Sequence, residues 1–297
     1  MQLLIESIGF GVASGAVLAL GAVGVTLQFG ISNVLNITYG ALMSLGAFLG
    51  LFLLGVGLNI WLAMALAGVM IALCSVALNR GLLDPLVRRG MQPFGIIIVS
   101  VSAGIVLEYV IVAVAGPATQ SYGNLSGSTL KFLGWTLTSA QVTIILLTLC
   151  LMAGLHLLLT RTQLGRAMRA TSANRTLARS CGIPTARVAD VTWLISGALC
   201  GVAGVALALT IESFDFTLGS IFLIPMIAAA VLGGVGQPYG AMLGALVVGV
   251  VSQVSAAYWD PAYENVVAFA ILIVMLLVRP RGLFGANWSA RKLQAGA

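Results

Sequence analysis

Few side chains in this sequence could do chemistry, and those few lie among apolar residues. Asn33, Asn36, Thr38 and Tyr39 form a polar island between two apolar stretches. Asn33 and Asn36 are three residues apart, so on a helix they would share a face. Two amides, a hydroxyl and a phenol with no formal charge beside them could hydrogen-bond a small neutral or zwitterionic solute. The same groups could equally clamp helices together or cap a helix end. Glu108 is the clearest acid inside an apolar run. An ionisable group in such a place is costly, which makes it a functional candidate. A protonated carboxyl bonded to a neighbouring helix is the alternative. His156, the single histidine, lies near the end of another apolar run, where packing or snorkelling accounts for it.

Catalytic chemistry finds little support. The chain has no G-x-x-x-x-G-K-[ST], no HExxH and no G-x-S-x-G, and its only lysines are Lys131 and Lys292. It binds no ATP through a phosphate loop. Cys74, Cys150, Cys181 and Cys200 form no CxxC pair, and one histidine cannot supply a metal cluster. The cysteines are expected to be small buried hydrophobes, with no disulfide framework and no metal.

What must position these groups is set by hydrophobicity. Of 297 residues, 60% are apolar and 7% charged; soluble domains carry about 25% charged residues. The uncharged runs are long enough to cross a ~30 Å hydrocarbon core as helices. The expected fold is all-α: one polytopic transmembrane bundle over 1–297, of eight or nine spans. The spans fall at about 8–29, 34–54, 59–79, 94–115, 139–160, 189–210, 220–234, 239–257 and 265–278. The segment 220–257 is either two crossings or a broken, partly re-entrant pair. The N-terminus lacks a basic n-region, so the first span is expected to stay.

Arginine sets the orientation. Apart from Lys131 in 116–138, positive charge is confined to 80–93 (Arg80, Arg88, Arg89), to 161–187 (Arg161, Arg166, Arg169, Arg175, Arg179, Arg187) and to the tail from Arg279. These three segments belong in the cytoplasm and the N-terminus outside. The charge therefore reads as membrane orientation, with no nucleic-acid partner. Trp61, Trp135 and Trp259 fall at span ends, as interfacial anchors. Many of the 36 glycines are spaced GxxxG, including Gly11/Gly15, Gly46/Gly50, Gly197/Gly201 and Gly236/Gly240/Gly244, which lets helices approach closely. Ser14-Gly15-Ala16-Val17-Leu18 echoes Ser196-Gly197-Ala198-Leu199-Cys200. One copy enters the cytoplasm and the other leaves it, as in an inverted repeat. Residues 163–180 read as one short cytoplasmic helix, with Gly182 as its C-terminal cap and Pro184 beyond.

The 161–187 segment carries a resemblance. Gly165-Arg166-Ala167-Met168-Arg169-Ala170, then Asn174, Ala178 and Gly182-Ile183, looks like the coupling loop of the branched-chain amino acid ABC importer permeases. Three more strings agree in family order. They are Gly30 through Asn36 to Gly40, Val231-Leu232-Gly233-Gly234-Val235-Gly236 through Gly240 and Gly244, and Arg279-Pro280-Arg281-Gly282-Leu283-Phe284-Gly285. Together they span nearly the whole chain and are closer to the shorter permease subunit of that family. Tyr39 stands where the family usually has His, Ala41 where an acid commonly follows, and Glu108 where Gln is frequent.

The resemblance implies a multi-pass inner-membrane permease paired with an identical or related permease subunit. It implies two cytoplasmic ATPase subunits that bind the ATP, an extracytoplasmic solute-binding protein, no cofactor in this chain and no enzymatic activity. Arg166, Arg169, Ala170, Asn174, Ala178 and Gly182 would couple to the ATPases, and small Ala170 and Ala178 would form the docking face. Arg169 would meet acidic groups of the partner. Asn33, Asn36, Thr38, Tyr39 and Glu108 would line the path of a branched-chain or other amino acid. Alternatives are a urea or short-amide importer permease, an ion-coupled secondary transporter using Glu108 or His156, and an integral-membrane enzyme.

Overall fold

A computed structural model describes residues 2–123, 129–132, 135–211, 213–260, 263–279 and 282–283. In lipid every backbone N–H and C=O must be satisfied within the chain, so apolar segments become helices. The helices are α1 (Gln2–Ser32), α2 (Thr38–Gly55), α3 (Ile60–Leu78), α4 (Asp84–Arg88), α5 (Pro93–Ala115), α6 (Ser139–Arg161), α7 (Gln163–Ala173), α8 (Arg175–Ser180), α9 (Thr185–Ile211), α10 (Leu218–Gly233), α11 (Pro238–Tyr258) and α12 (Tyr263–Val278). A π turn, Asn79–Leu83, joins α3 to α4 without a break. Seven helical spans are long and apolar enough to cross a bilayer, and α10 and α12 are shorter apolar helices. Every expected span is thus met by a helix among the described residues. Their starts are chemically marked. Asn59 caps α3 by accepting from the Trp61 N–H, and Thr138 and Gln141 form a capping box on α6. Pro93 and Pro238 occupy first-turn positions of α5 and α11.

Glycine decides the packing. Lipid tails are as apolar as leucine, so helices associate by close contact rather than by a hydrophobic drive. α1 runs antiparallel to α11: a Cβ at Gly11 would lie 2.7 Å from the Val250 Cα, and one at Gly15 3.2 Å from the Leu246 Cα. α3 runs antiparallel to α9 in the same manner, with Gly197 against Ala72 and Gly201 against Gly68. These two pairings exchange under the operation that takes α1, α2, α3 and α5 to α9, α10, α11 and α12. So do α2 with α5 and α10 with α12, while α1–α9 and α2–α10 map onto themselves. The five-residue echo on α1 and α9 lies in this arrangement, with α6 between the two sets.

The two basic loops and the described start of the tail gather at one end of the bundle. Arg80 of the π turn pairs with Asp190 of α9 at 2.6 Å, and Arg88 of α4 shares a cavity wall with Arg175 and Arg179 of α8. Near the tail, the Leu283 N–H donates to the Leu232 carbonyl at the end of α10. Gly282, with φ near +78°, packs on Gly234. The opposite end carries two small antiparallel pairings: β1 (Gln120–Ser121) with β4 (Ser213–Phe214), and β2 (Thr129–Phe132) with β3 (Trp135–Thr138). There Tyr122 is buried, which pushes its phenol up from the ordinary value, and its hydroxyl donates to the Ala47 carbonyl at 2.6 Å.

Two expectations need correction. Only Cys200 is buried; Cys74, Cys150 and Cys181 are exposed. Cys74 and Cys150 stand on outward helix faces, where an apolar surround suits a thiol as well as an interior does. The cytoplasmic segment is also two helices rather than one. Asn174 breaks it at φ −158°, ψ 104°, and its side chain accepts from the Leu177 N–H at 3.0 Å. Asparagine offers the backbone a local partner that competes with helix continuation. Trp61 and Trp259 stand at helix ends as expected, at 39% and 76% exposure. The side chain of Trp135 lies outside the described residues.

Candidate functional site

The polar island divides into groups with different surroundings. Asn33 ends α1: its φ is +56°, its N–H donates to the Phe29 carbonyl at 2.8 Å, and its side chain is exposed. Asparagine tolerates this left-handed cap better than most residues. Residues 33–37 are therefore not helical, and Asn33 and Asn36 share no helix face. The segment climbs back along α1. Asn36, 4% exposed, donates from Nδ2 to Gln28 Oε1 at 3.1 Å, and Gln28 Nε2 donates to Ser75 Oγ at 3.4 Å. Asn36 Oδ1 is buried without a hydrogen-bond partner among the described residues.

α2 then begins beside the middle of its neighbours. The Thr38 hydroxyl donates to the Ser100 carbonyl at 2.5 Å, and the Ile37 N–H to Ser100 Oγ at 3.3 Å. Gly104, half-way along α5, lies next to Thr38. The Tyr39 hydroxyl donates to the Ser196 carbonyl at 3.3 Å, in a space that the absent side chain of Gly24 leaves open. α10 starts at the same level. Asp215 accepts from the Thr217 N–H at 3.0 Å just ahead of it, and the Gly219 N–H donates to Ser44 Oγ at 2.8 Å. A Cβ at Gly40 would lie 2.8 Å from the Gly219 carbonyl and 2.9 Å from the Ser220 Cα. The N-termini of α2 and α10 thus meet at mid-bundle. Ser220, in the first turn of α10, donates to Glu108 Oε1 on α5. Glu108 is half-buried. One turn further along α5 opens a cleft of about 500 Å³, lined by Leu45, Phe48, Leu49, Phe52, Ile111 and Val114 among others.

The 161–187 segment is anchored to the bundle at several points. Thr162 caps α7 by accepting from the Gly165 N–H at 3.0 Å. Gly165 rests on the Leu158 and Leu159 carbonyls, where no side chain fits. Arg169 donates to the Leu159 carbonyl, placing positive charge at the C-terminus of α6, where the helix dipole favours it. That bond uses one of the guanidinium donors within the chain, and Arg169 is itself exposed. Gly182 has φ near +80°, and the Ile183 N–H donates to the Ala178 carbonyl at 3.1 Å, closing α8. Ala178 is 4% exposed and Ala170 half-buried. Ala178 therefore packs inward and is no docking face; its small size serves the contact beneath α8. Arg166 and Asn174 are exposed.

Comparison with known proteins identifies the arrangement. Residues 7–276 match the family described as the permease component of branched-chain amino acid transport systems. The chain belongs to this family. It is 31% identical over 290 residues to the high-affinity branched-chain amino acid transport system permease protein LivH of Salmonella typhimurium, covering 93% of each chain. It is 30% identical to the corresponding permease protein BraD of Pseudomonas aeruginosa, over 93% of this chain and 94% of the relative. To the probable LivH of Methanocaldococcus jannaschii it is 30% identical, over 93% and 90%. No solved structure matches. A transport permease with these apolar spans is a multi-pass inner-membrane protein, and its family is not one of enzymes.

In this permease three residues escaped the sequence reading. Leu177 is 61% exposed on α8, the large apolar side chain left bare on the basic end of the 161–187 segment. Its position opposite Arg175 and Arg179 could be found only after the break at Asn174 was known. Gln28 is a lone amide in the apolar run of α1, and Ser220 is one hydroxyl among many. Neither carries a local signal without its partner.

Proposed function

We propose that this permease is the membrane subunit of an ATP-driven importer and that it passes branched-chain amino acids. The apolar cleft one turn along α5 from Glu108 carries this reading. Leucine or valine presents a branched hydrocarbon, an ammonium and a carboxylate. The Phe48, Leu49 and Val114 walls suit the hydrocarbon. Glu108 stands where an ammonium would seek an acceptor, and the N-termini of α2 and α10 offer partial positive charge to a carboxylate. Urea or acetamide would gain nothing from such walls. Asn36, Thr38 and Tyr39, each bonded inside the bundle, hold the start of α2 in place beside the path. Asn33 caps α1 at its cytoplasmic end.

The 161–187 segment would receive two cytoplasmic ATPase subunits, one for each copy of the permease or of a related permease. An extracytoplasmic solute-binding protein would deliver cargo, so the cleft needs no high affinity. Leu177 is the apolar contact offered to the ATPase, and exposed Arg166 on α7 is a second contact. The permease itself binds no ATP.

In the reconstituted complex, uptake of labelled leucine, urea and acetamide tests the cargo. Glu108→Gln keeps an acceptor for Ser220 and is expected to retain most leucine uptake. Glu108→Leu is expected to lower it about tenfold, the cost of about one lost hydrogen bond to a charged group. Faster uptake of urea than of leucine by the unmodified complex would overturn the cargo assignment.

A further inference from the structure

Four arginines converge on one groove at the basic end of the bundle. Arg80 stands on the π turn, Arg88 on α4, and Arg175 and Arg179 one turn apart on α8. Two adjoining cavities, each about 430 Å³, share Asp84, Arg88 and Ala186 in their walls. Asp84 is taken by Arg88 and Asp190 by Arg80, each at 2.6 Å. Among the described residues, neither Arg175 nor Arg179 has an ion-pair partner. Four guanidinium groups against two carboxylates leave the groove positive by two charges.

The groove also continues a lipid-facing surface. Residues Ile60–Arg88 form one unbroken helical rod. Leu62, Leu66, Val69 and Leu73, spaced three or four apart, are exposed along its outer side, a stripe that the next turns extend through Arg80 and Asp84 to Arg88. An apolar track that ends in guanidinium groups matches a molecule with a hydrocarbon chain and an anionic head. Guanidinium forks bind phosphate oxygens in pairs, and basic clusters beside cytoplasmic membrane surfaces attract anionic lipids. The ATPase contact lies elsewhere on α8. At about 100° per residue, Leu177 points about 180° from the shared face of Arg175 and Arg179.

We propose that this groove binds the phosphate of an anionic phospholipid of the cytoplasmic leaflet. Arg88, Arg175 and Arg179 surround the phosphate, and an acyl chain lies along Leu73, Val69 and Leu66. Since α8 is one wall and α4 the other, the bound lipid ties the 161–187 segment to the α3–α4 rod and steadies the surface that meets the ATPase.

The test uses the purified full-length permease in detergent, titrated with fluorescent phosphatidylglycerol, with phosphatidylcholine as the neutral control. Saturable binding of the first and none of the second is expected. The pair Arg175→Gln with Arg179→Gln, both exposed and outside the helix core, is expected to weaken binding about 30-fold, or ~2 kcal/mol at ~1 kcal/mol per basic side chain. Arg175→Lys with Arg179→Lys keeps charge without the planar fork and is expected to lose less, which separates a binding defect from misfolding. Equal affinity in the unmodified protein and the glutamine pair would overturn the proposal. So would displacement of the lipid by millimolar inorganic phosphate, which would make the groove a site for a free anion.

Discussion

Replacing Asn36 separates holding the fold from touching cargo. Its Nδ2 donates to Gln28 Oε1 at 3.1 Å, with both side chains at least 96% buried. Asn36→Leu conserves size and removes the donor, leaving the Gln28 oxygen without it. Leaving a buried acceptor unsatisfied costs about 1–3 kcal/mol in water-soluble proteins. Inter-helix bonds in membranes average about 0.6 kcal/mol, with a maximum near 1.7. A loss of about 1–1.5 kcal/mol is therefore expected. Gln28→Leu should cost a similar amount, since it also frees Ser75 Oγ from a longer bond of 3.4 Å. Removing both partners leaves no orphan at the pair, so the double variant should be more stable than the sum of the singles by about 1 kcal/mol. The assay is the unfolding midpoint of purified protein in an SDS titration, followed by leucine uptake corrected for the amount of complex. Recovery of both stability and uptake in the double variant is expected if Asn36 acts by holding the 33–37 segment against α1. Strict additivity of the two losses would refute the bond as a source of stability. A stable double variant that fails to transport would place Asn36 in the path itself.

Other positions yield sharper single outcomes. Gly40→Val should destabilise by about 1–3 kcal/mol and abolish uptake, because its side chain meets the Gly219 carbonyl and Ser220 Cα, which are backbone and cannot swing aside; normal thermal stability would refute the contact. Tyr39→Phe should cost about 1 kcal/mol through the lost Ser196 bond and leave the ratio of leucine to valine uptake unchanged; an altered ratio would make Tyr39 a cargo contact. Leu177→Glu should leave membrane abundance intact while lowering ATPase co-purification at least tenfold; unchanged co-purification would move the docking surface off α8. With native cysteines otherwise removed, Cys181 should react with an impermeant thiol reagent only after the cells are opened, and Gly57→Cys should react in intact cells; the reverse pattern would invert the orientation.

Much of the fold was legible because membrane helices announce themselves by composition. Each apolar run became a helix, and Gly182 and Pro184 ended α8 where their backbone preferences require. What stayed hidden depends on partners distant in sequence. Asn174 looks like any residue in a helical run until its side chain is seen capping Leu177. Ala178 is small for a reason that faces inward, and size alone cannot tell an inner face from an outer one. Asn33 and Asn36 have helical spacing, but Asn33 takes a left-handed backbone that ends the helix between them. Of the five residues expected along the path, Glu108 is the one within a turn of the apolar cleft, and its partner Ser220 lies 112 residues away.

The starting points of α2 and α10 follow from the same physics as the glycines. An inverted pair of helical sets must cross at its centre, and the crossing elements are α2 and α10. Full-length helices with side chains could not meet there, because Gly40 and Gly219 already bring backbone against backbone. Beginning both helices at mid-bundle removes half of the crowding and leaves their first N–H groups within the membrane. Those groups need acceptors there: Asn36 and Ile37 carbonyls serve Tyr39 and Gly40, and Ser44 and Asp215 serve the start of α10. The start of each helix is thus met by partners inside the bundle, and Ser220 in the first turn of α10 donates to Glu108. A hydroxyl and a carboxyl that meet one turn from an apolar cleft are groups that a passing amino acid could engage in turn. The segment 33–37, which returns the chain to this level beside α1, places the start of α2 there through the Asn36 bond to Gln28 and the Ile37 bond to Ser100.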